Sequence, residues 1–164
     1  MGKTIILNLG DLDIRGDVLD IGESFGVIYN ITKEIDDEVS IDYVDEGNIK
    51  VLEDRGYENC TIFFALSNIW SEGAKERLIE KISKYIRKDG SIYIWDINKE
   101  LGKVFNNKIR VILPSKNIKE FQFKSLNPMT VSNIEETKKI LNKSFNIDEE
   151  KLWEDVYFIK ARKK

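Results

Sequence analysis

The most constraining feature of the sequence is a short apolar segment that runs directly into a glycine-bearing turn. Residues 16–22 (GDVLDIG) place apolar side chains between polar and glycine residues, which predicts a buried strand. The segment after Gly26 predicts a helix that ends near Ile35. Residues 38–44 alternate with a period of two, which predicts a second strand. A strand, a glycine turn, a helix and a second strand together form a βαβ unit.

Strand-like and helix-like segments continue to alternate along the rest of the chain. A helix is predicted to begin at Ser71 and to end at residues 88–90 (KDG). Another is predicted from Ser132 to Leu141, with Glu135 completing a capping box. Extended segments are predicted at 48–54, 61–66, 91–97, 109–113, 120–126, 144–147 and 155–161, the last two as a closing antiparallel pair. This alternation predicts an α/β fold with a mostly parallel sheet.

Length and composition predict one globular domain and narrow its chemistry. The 164 residues, 41% of them apolar, are enough for a single domain over residues 1–164. The chain has no histidine, which excludes histidine acid–base catalysis, histidine metal ligands and the serine–histidine mechanism. Cys60 is the single cysteine, so the sequence predicts no internal disulfide and no metal site.

Residues 22–26 (GESFG) match parts of several ligand-binding or catalytic turns. The pattern G-x-S-x-G is typical of the nucleophile elbow of α/β-hydrolases, but that family activates its serine with histidine. The dinucleotide-binding fingerprint requires glycines at offsets 0, 2 and 5, where this chain has Gly22, Ser24 and Val27. Only the first of these three positions fits, so neither interpretation is favoured.

A third pattern fits the same turn better. Residues 18–26 (VLDIGESFG) resemble motif I of the class I S-adenosylmethionine-dependent methyltransferases, in which an acidic residue stands two positions before the first glycine, as Asp20 does. Ser24 replaces the middle glycine of that motif and is small enough to let a ligand approach closely. The resemblance covers roughly residues 17–97 and implies a Rossmann-like fold with S-adenosylmethionine as cofactor. The residues of the motif that it implies for cofactor binding are Asp20, Gly22, Glu23, Ser24 and Gly26.

The same resemblance implies cofactor contacts beyond the glycine turn. Asp42 is predicted to end the second strand, where the family uses a carboxylate to accept hydrogen bonds from both ribose hydroxyls. The alternative is a solvated residue at the strand end. Tyr43, next to it, and Leu66, after the fourth strand, complete the predicted cofactor site. Glu53 or Asp54 would contact the adenine unless this stretch is an ordinary charged loop.

Methyl transfer remains feasible without histidine, because it depends on holding acceptor and methyl in line and excluding water. The sequence therefore predicts a methyltransferase with an unidentified acceptor, for which a small molecule is favoured, and it identifies no catalytic residue. The alternative is a non-catalytic cofactor-binding or scaffold protein, because few residues precede the motif and a lid is either missing or supplied by another chain. Trp95 is interpreted as core packing, and Asp96 either contacts the acceptor or caps a helix.

Charge is distributed unevenly along the chain. Residues 1–60 carry 5 basic and 15 acidic residues, whereas residues 61–164 carry 21 basic and 14 acidic residues. The segment 99–124 has seven basic residues against two acidic ones, but a nucleic-acid surface is not favoured because aromatic residues are poorly interleaved. The extended stretch 109–126 is equally compatible with an edge that pairs in a homodimer. No membrane segment is predicted, so we expect a cytoplasmic protein.

Overall fold

The computed structural model describes residues 2–45 and 56–164, which form two β-sheets and three α-helices. The helices are α1 (Val27–Ile31), α2 (Glu72–Ser83) and α3 (Ile134–Leu141). The strands are β1 (Thr4–Asn8), β2 (Val18–Ile21), β3 (Ile41–Val44), β4 (Tyr57–Phe63), β5 (Ile86–Ile97), β6 (Phe105–Ile112), β7 (Ile118–Ser125), β8 (Phe145–Trp153) and β9 (Val156–Lys163). The strand predicted at 48–54 and the adenine contacts at Glu53 or Asp54 lie outside the described residues.

The larger sheet has six strands in the order β3-β2-β4-β5-β9-β8. The first four are parallel, and β9 and β8 join them antiparallel, so the predicted closing antiparallel pair is present. The sheet is mixed, with three parallel and two antiparallel pairings. The antiparallel strands are longer than the sequence suggested, because polar residues continue both strands beyond their apolar segments.

A second sheet of three strands, in the order β1-β6-β7, was not predicted. β6 and β7 form an antiparallel hairpin, and β1 pairs with β6 in parallel, with Thr4 opposite Lys108. In β1, Ile5 and Leu7 are buried while Thr4, Ile6 and Asn8 are exposed. The expected extended stretches at 109–113 and 120–126 are therefore strands, and their edge is covered on one side by the N-terminal strand of the same chain.

The two faces of the six-stranded sheet are covered by different layers. One face packs against α1 and the three-stranded sheet, in a core rich in aromatic rings such as Phe63, Trp95 and Phe158. The other face packs against α2 and α3, and its core is mainly aliphatic. Trp95 is completely buried, which agrees with its interpretation as a core residue. Among the described residues, no helix is long and apolar enough to cross a lipid bilayer.

The beginning of α2 is as predicted, but its end is not. The Ser71 hydroxyl accepts a hydrogen bond from the Ala74 backbone N–H at 3.1 Å, as a capping residue does. The helix ends at Ser83, and residues 88–90 lie inside β5. There the pairing with β4 changes register, and Asp89 has a φ of 65°. The Lys-Asp-Gly sequence thus forms a bulge in a strand instead of a helix stop, since both structures need residues that tolerate positive φ.

The cap of α3 lies one residue later than predicted. The Asn133 side chain accepts a hydrogen bond from the Glu136 N–H at 2.8 Å. The Ser132 hydroxyl instead donates to the carbonyl of Ile97 at 2.8 Å and ties the helix to the end of β5. Asn and Ser are both good capping residues. The predicted capping box from Ser132 to Glu135 is therefore replaced by a cap from Asn133.

Candidate functional site

The glycine turn lies at the carboxyl edge of the parallel strands, between β2 and α1. Gly22 and Gly26 have φ values of 83° and 77°, a conformation that is costly for residues with a Cβ. The Gly22 N–H donates to the carbonyl of Val44 at 2.8 Å and so fixes the turn to the end of β3. In open α/β sheets, ligands bind at this edge. This hydrogen bond therefore fixes the glycine turn at the edge where such sheets bind ligands.

A cleft of about 240 Å³ opens beside this turn. It is lined by the turn, by the residue after β3, by the segment after β4 and by a ring from β7: Gly22, Glu23, Phe25, Asp45, Phe64, Ala65, Asn68 and Phe123. Glu23 and Asp45 are the ionisable side chains of this lining among the described residues. Phe25, Phe64 and Phe123 add aromatic rings, so the cleft combines two carboxylates with three rings, and most of its exposed surface is polar.

Asp20 and Ser24, both predicted to contact the cofactor, lie underneath the turn rather than in the cleft. The carboxylate of Asp20 is fully buried and accepts hydrogen bonds from the hydroxyls of Ser24 at 2.6 Å and Thr61 at 2.8 Å. Burial raises the pKa of Asp20 to about 6, although both hydrogen bonds favour the ionised form. The serine that replaces a glycine of the motif thus holds the turn to the end of β2.

A strand from the second sheet covers the turn. Phe121 of β7 stacks on Phe25 of the turn with ring centroids 4.1 Å apart and planes 5° from parallel. A Cβ placed on Gly26 would be 3.6 Å from the ammonium nitrogen of Lys119, also in β7. The sequence led us to expect a lid that was missing or came from another chain. The structure instead places β7 of the same chain against the turn.

Asp42 does not end its strand as predicted. It pairs with Leu19 in the interior of the β2–β3 ladder, and the phenol of Tyr57 donates a hydrogen bond to its carboxylate. The strand continues to Val44, so Asp45 is the acidic residue that reaches the edge and lines the cleft. Sequence reasoning missed Asp45. The available signal was the length of β3, because the residue opposite Gly22 in the parallel register must lie beyond Val44.

The remaining predicted residues are divided between the cleft and its surroundings. Glu23, Gly22 and the exposed Gly26 lie on the turn. Tyr43 is 55% exposed on β3. Leu66 is buried in the aliphatic core, at the start of a short 3-10 turn (Leu66–Asn68) after β4, and its neighbours line the cleft instead.

Asp96 supports the segment after β4. Its carboxylate is fully buried and accepts hydrogen bonds from the backbone N–H groups of Ser67 at 2.8 Å and Ile97 at 2.7 Å. Burial raises the pKa of Asp96 to about 6. Of the two roles predicted for Asp96, helix capping agrees better with the structure. Asp96 accepts a hydrogen bond from a backbone N–H of the 3-10 turn and does not line the cleft.

The basic segment 99–124 is partly neutralised within the chain. Lys108 and Arg110 of β6 both pair with Glu120 of β7, at 3.8 Å and 2.6 Å. Lys99 is buried and donates to the carbonyls of Lys103 and Asn127. Burial lowers the pKa of Lys99, and the nearby charge of Lys75 lowers it further. Binding of nucleic acid and pairing in a homodimer remain predictions for this segment.

Known structures share the fold at low sequence identity. The PH0226 protein from Pyrococcus horikoshii OT3 is 11% identical, with a TM-score of 0.61 over 95% of this chain and 85% of that one. The N-methyltransferase NodS from Bradyrhizobium japonicum WM9, in complex with S-adenosyl-L-homocysteine, is 11% identical, with a TM-score of 0.61 over 94% and 81% of the two chains. CalS10 from Micromonospora echinaspora, an amino pentose methyltransferase with bound S-adenosylmethionine, is 12% identical, with a TM-score of 0.57 over 91% and 84%.

No protein-family model matches the sequence, and no curated protein matches it. At identities near one residue in ten, the structural similarity establishes the fold. The fold is the Rossmann-like fold of the class I S-adenosylmethionine-dependent methyltransferases.

Proposed function

We propose that the chain binds S-adenosylmethionine in the cleft beside the glycine turn and transfers its methyl group to a small-molecule acceptor. The observation that carries the proposal is the turn itself, where Gly22 and Gly26 hold positive φ at the carboxyl edge and Glu23 and Asp45 line the adjoining cleft. Further support comes from NodS and CalS10, which share the fold and were crystallised with S-adenosyl-L-homocysteine and S-adenosylmethionine.

The side chains of the cleft fit a nucleoside with an attached amino acid. We assign the ribose hydroxyls to Asp45, because a carboxylate offers two acceptor oxygens and Asp45 lines the cleft beyond the end of β3. We assign the ammonium group of the amino acid to Glu23, which also lines the cleft. Asp42 remains a second candidate for the ribose, although its carboxylate already accepts from Tyr57. In this proposal Asp20 and Ser24 position the turn and do not touch the cofactor.

The cleft is smaller than most ligand sites. Sites for ligands of this size are commonly about 300–1,000 Å³, whereas this cleft has about 240 Å³. Phe25 and Phe123 are the side chains that limit it where β7 covers the turn. We propose that the rings of β7 shift away from the turn when the ligand binds and that the hairpin closes again over it.

The chemistry relies on position and exclusion of water. When bound, the cofactor supplies a methyl group on a sulfonium, which is a good leaving group. Phe64 and Phe123 would exclude water from that part of the cleft, and aromatic faces attract a cation. A neutral amine can attack a methyl group without a base, which suits a lining with no histidine. We therefore favour an amine as acceptor, and the neighbour NodS is an N-methyltransferase.

Calorimetric titration with S-adenosylmethionine and S-adenosyl-L-homocysteine tests the proposal. We expect saturable binding to the unmodified protein and about a ten- to hundredfold loss for Asp45→Asn, which removes a charged acceptor from the ribose hydroxyls. Glu34→Gln is the matched control, because Glu34 is an exposed acidic residue that does not line the cleft. Absence of binding at millimolar ligand would overturn the proposal.

A second candidate is a protein that binds the cofactor without catalysis. One observation favours it: Ser24 occupies a glycine position of the motif. Incubation with methyl-labelled cofactor and a panel of small amines separates the two candidates. Transfer of label to any amine supports the enzyme, whereas saturable binding with no transfer supports the non-catalytic protein.

A further inference from the structure

One face of β7 lies against the glycine turn and carries a basic side chain. Because side chains alternate along a strand, Lys119, Phe121 and Phe123 share this face. Phe123 lines the cleft, and Phe121 stacks on Phe25 of the turn. The ammonium nitrogen of Lys119 lies 3.6 Å from the position that a Cβ on Gly26 would occupy. β7 therefore brings two aromatic rings and one ammonium group to the turn.

The charge of Lys119 is not neutralised by a nearby carboxylate. Lys108 and Arg110 of β6 pair with Glu120, which alternation places on the other face of β7. Lys119 itself is exposed and forms no ion pair with an acidic residue in residues 2–45 and 56–164. An anion that binds Lys119 therefore breaks no ion pair of the described chain.

The acidic lining of the cleft gives this ammonium group a partner to serve. The proposed cofactor ends in an amino acid, whose ammonium group is assigned to Glu23. Its carboxylate would be repelled by Glu23 and Asp45, the ionisable side chains of the lining among the described residues. Glu23 and Gly26 belong to the same turn, so an amino acid held at Glu23 has its carboxylate close to the side of the turn that Lys119 approaches. The flexible four-carbon stem of lysine allows its ammonium group to follow a ligand.

We propose that Lys119 binds the carboxylate at the amino acid end of the cofactor, so that β7 recognises the ligand together with the glycine turn. The inference rests on the proposed function, because it requires S-adenosylmethionine in the cleft. Lys119 donates a charge-assisted hydrogen bond to a carboxylate oxygen. Since Lys119 belongs to β7, this contact also ties the hairpin to the bound ligand.

S-adenosyl-L-homocysteine and its decarboxylated analogue, in which hydrogen replaces the α-carboxylate, are the probes. Both keep the nucleoside and the amino group, and only the first carries the group assigned to Lys119. In calorimetric titrations, we expect Lys119→Met to weaken S-adenosyl-L-homocysteine about tenfold, as loss of a hydrogen bond between charged groups does. The same variant should leave the affinity for the analogue unchanged. Lys119→Arg keeps the charge and should retain most of the affinity for S-adenosyl-L-homocysteine.

Lys124→Met is the matched control for Lys119→Met. Lys124 is an exposed lysine of the same strand, and alternation places it on the opposite face from Lys119. Its replacement should leave the affinity for both probes unchanged. The inference is overturned if Lys119→Met binds S-adenosyl-L-homocysteine as tightly as Lys124→Met does, or if Lys119→Met weakens both probes equally. If the unmodified protein binds neither probe at millimolar concentration, the proposed function fails and this inference fails with it.

Discussion

Replacing Asp20 by asparagine should remove a pH dependence from the stability of the protein. The Asp20 carboxylate is completely buried below the glycine turn and has no basic partner among its hydrogen bonds, which come from Ser24 and Thr61. Burial therefore favours its protonated form and raises its pKa from 3.8 to about 6. Asparagine keeps the size of the side chain and does not titrate; its amide nitrogen would donate to one of the two hydroxyls, which can also accept.

The size and the sign of the effect follow from the two pKa values. One pKa unit corresponds to about 1.4 kcal/mol, so a rise from 3.8 to about 6 amounts to about 3 kcal/mol. Because the folded state holds this proton more tightly than the unfolded chain, the contribution is complete below the unfolded pKa of 3.8. It is lost as the pH rises through the folded value of about 6.

Urea unfolding of both proteins between about pH 4 and pH 7.5 measures this contribution directly. We expect the free energy of unfolding of the unmodified protein, minus that of Asp20→Asn, to fall by up to about 3 kcal/mol over this interval. Ser24→Ala should move the fall to higher pH, because the Ser24 hydroxyl favours the ionised form. Asp37→Asn, at an exposed carboxylate, is the control and should show no such fall. A difference that is flat, or that grows with pH, would refute the reasoning.

Three further substitutions test other parts of the site and its support. Gly26→Ala should destabilise the fold by about 1–2 kcal/mol in urea unfolding, because alanine is strained at a φ of 77°; an unchanged midpoint would contradict this. Alanine substitution of Phe25 and Phe121, singly and together, should give a coupling energy of about 1 kcal/mol, and additive effects would mean that the stacking contributes nothing. Lys75→Met should cost about 3 kcal/mol or more by thermal unfolding, because it leaves Glu136 without the buried ammonium group 2.8 Å away; Lys75→Met with Glu136→Gln should recover part of the loss.

The βαβ unit could be predicted because its signals are local. The apolar residues of β2 are bounded by glycines, and the turn that follows has glycines at two of its three positions with positive φ, the third being Phe25. Ser71 likewise starts α2 with a contact only three residues away. Such features depend on neighbours in the sequence, so the pattern alone is sufficient to place them.

The second sheet depends on contacts that the pattern does not contain. β1 pairs with β6 across about a hundred residues of sequence, with Thr4 opposite Lys108. Ile5 and Leu7 alternate with exposed residues as an edge strand would, but two buried positions give too weak a period to stand out. β7 belongs to the same second sheet. Its position over the glycine turn was therefore not predicted either.

The position of Asp45 and the cap of α3 were decided by register and by tertiary contact. Asp42 and Asp45 are both acidic residues near the end of a strand, and only the length of β3 shows which one reaches the cleft. Ser132 and Asn133 are both able to cap a helix, and the Ile97 carbonyl takes the serine hydroxyl. In both cases two residues are equally suitable by sequence. A contact with a residue distant in the sequence determines which of the two has the role.

The sequence contains no histidine. Within the described residues, Asp20 and Asp96 are the buried carboxylates whose pKa values lie near 6. They occupy the ends of β2 and β5, and each binds a different wall of the cleft: Asp20 holds the glycine turn through Ser24, and Asp96 holds the segment after β4 through the Ser67 N–H. Neither lines the cleft, so their titration acts on the walls rather than on a reacting group. Binding of the cofactor should therefore change below about pH 6, where these hydrogen bonds lose their ionised acceptors. In the methyl transfer proposed for this cleft, the two ionised and fully hydrogen-bonded aspartates would hold its walls in place at higher pH.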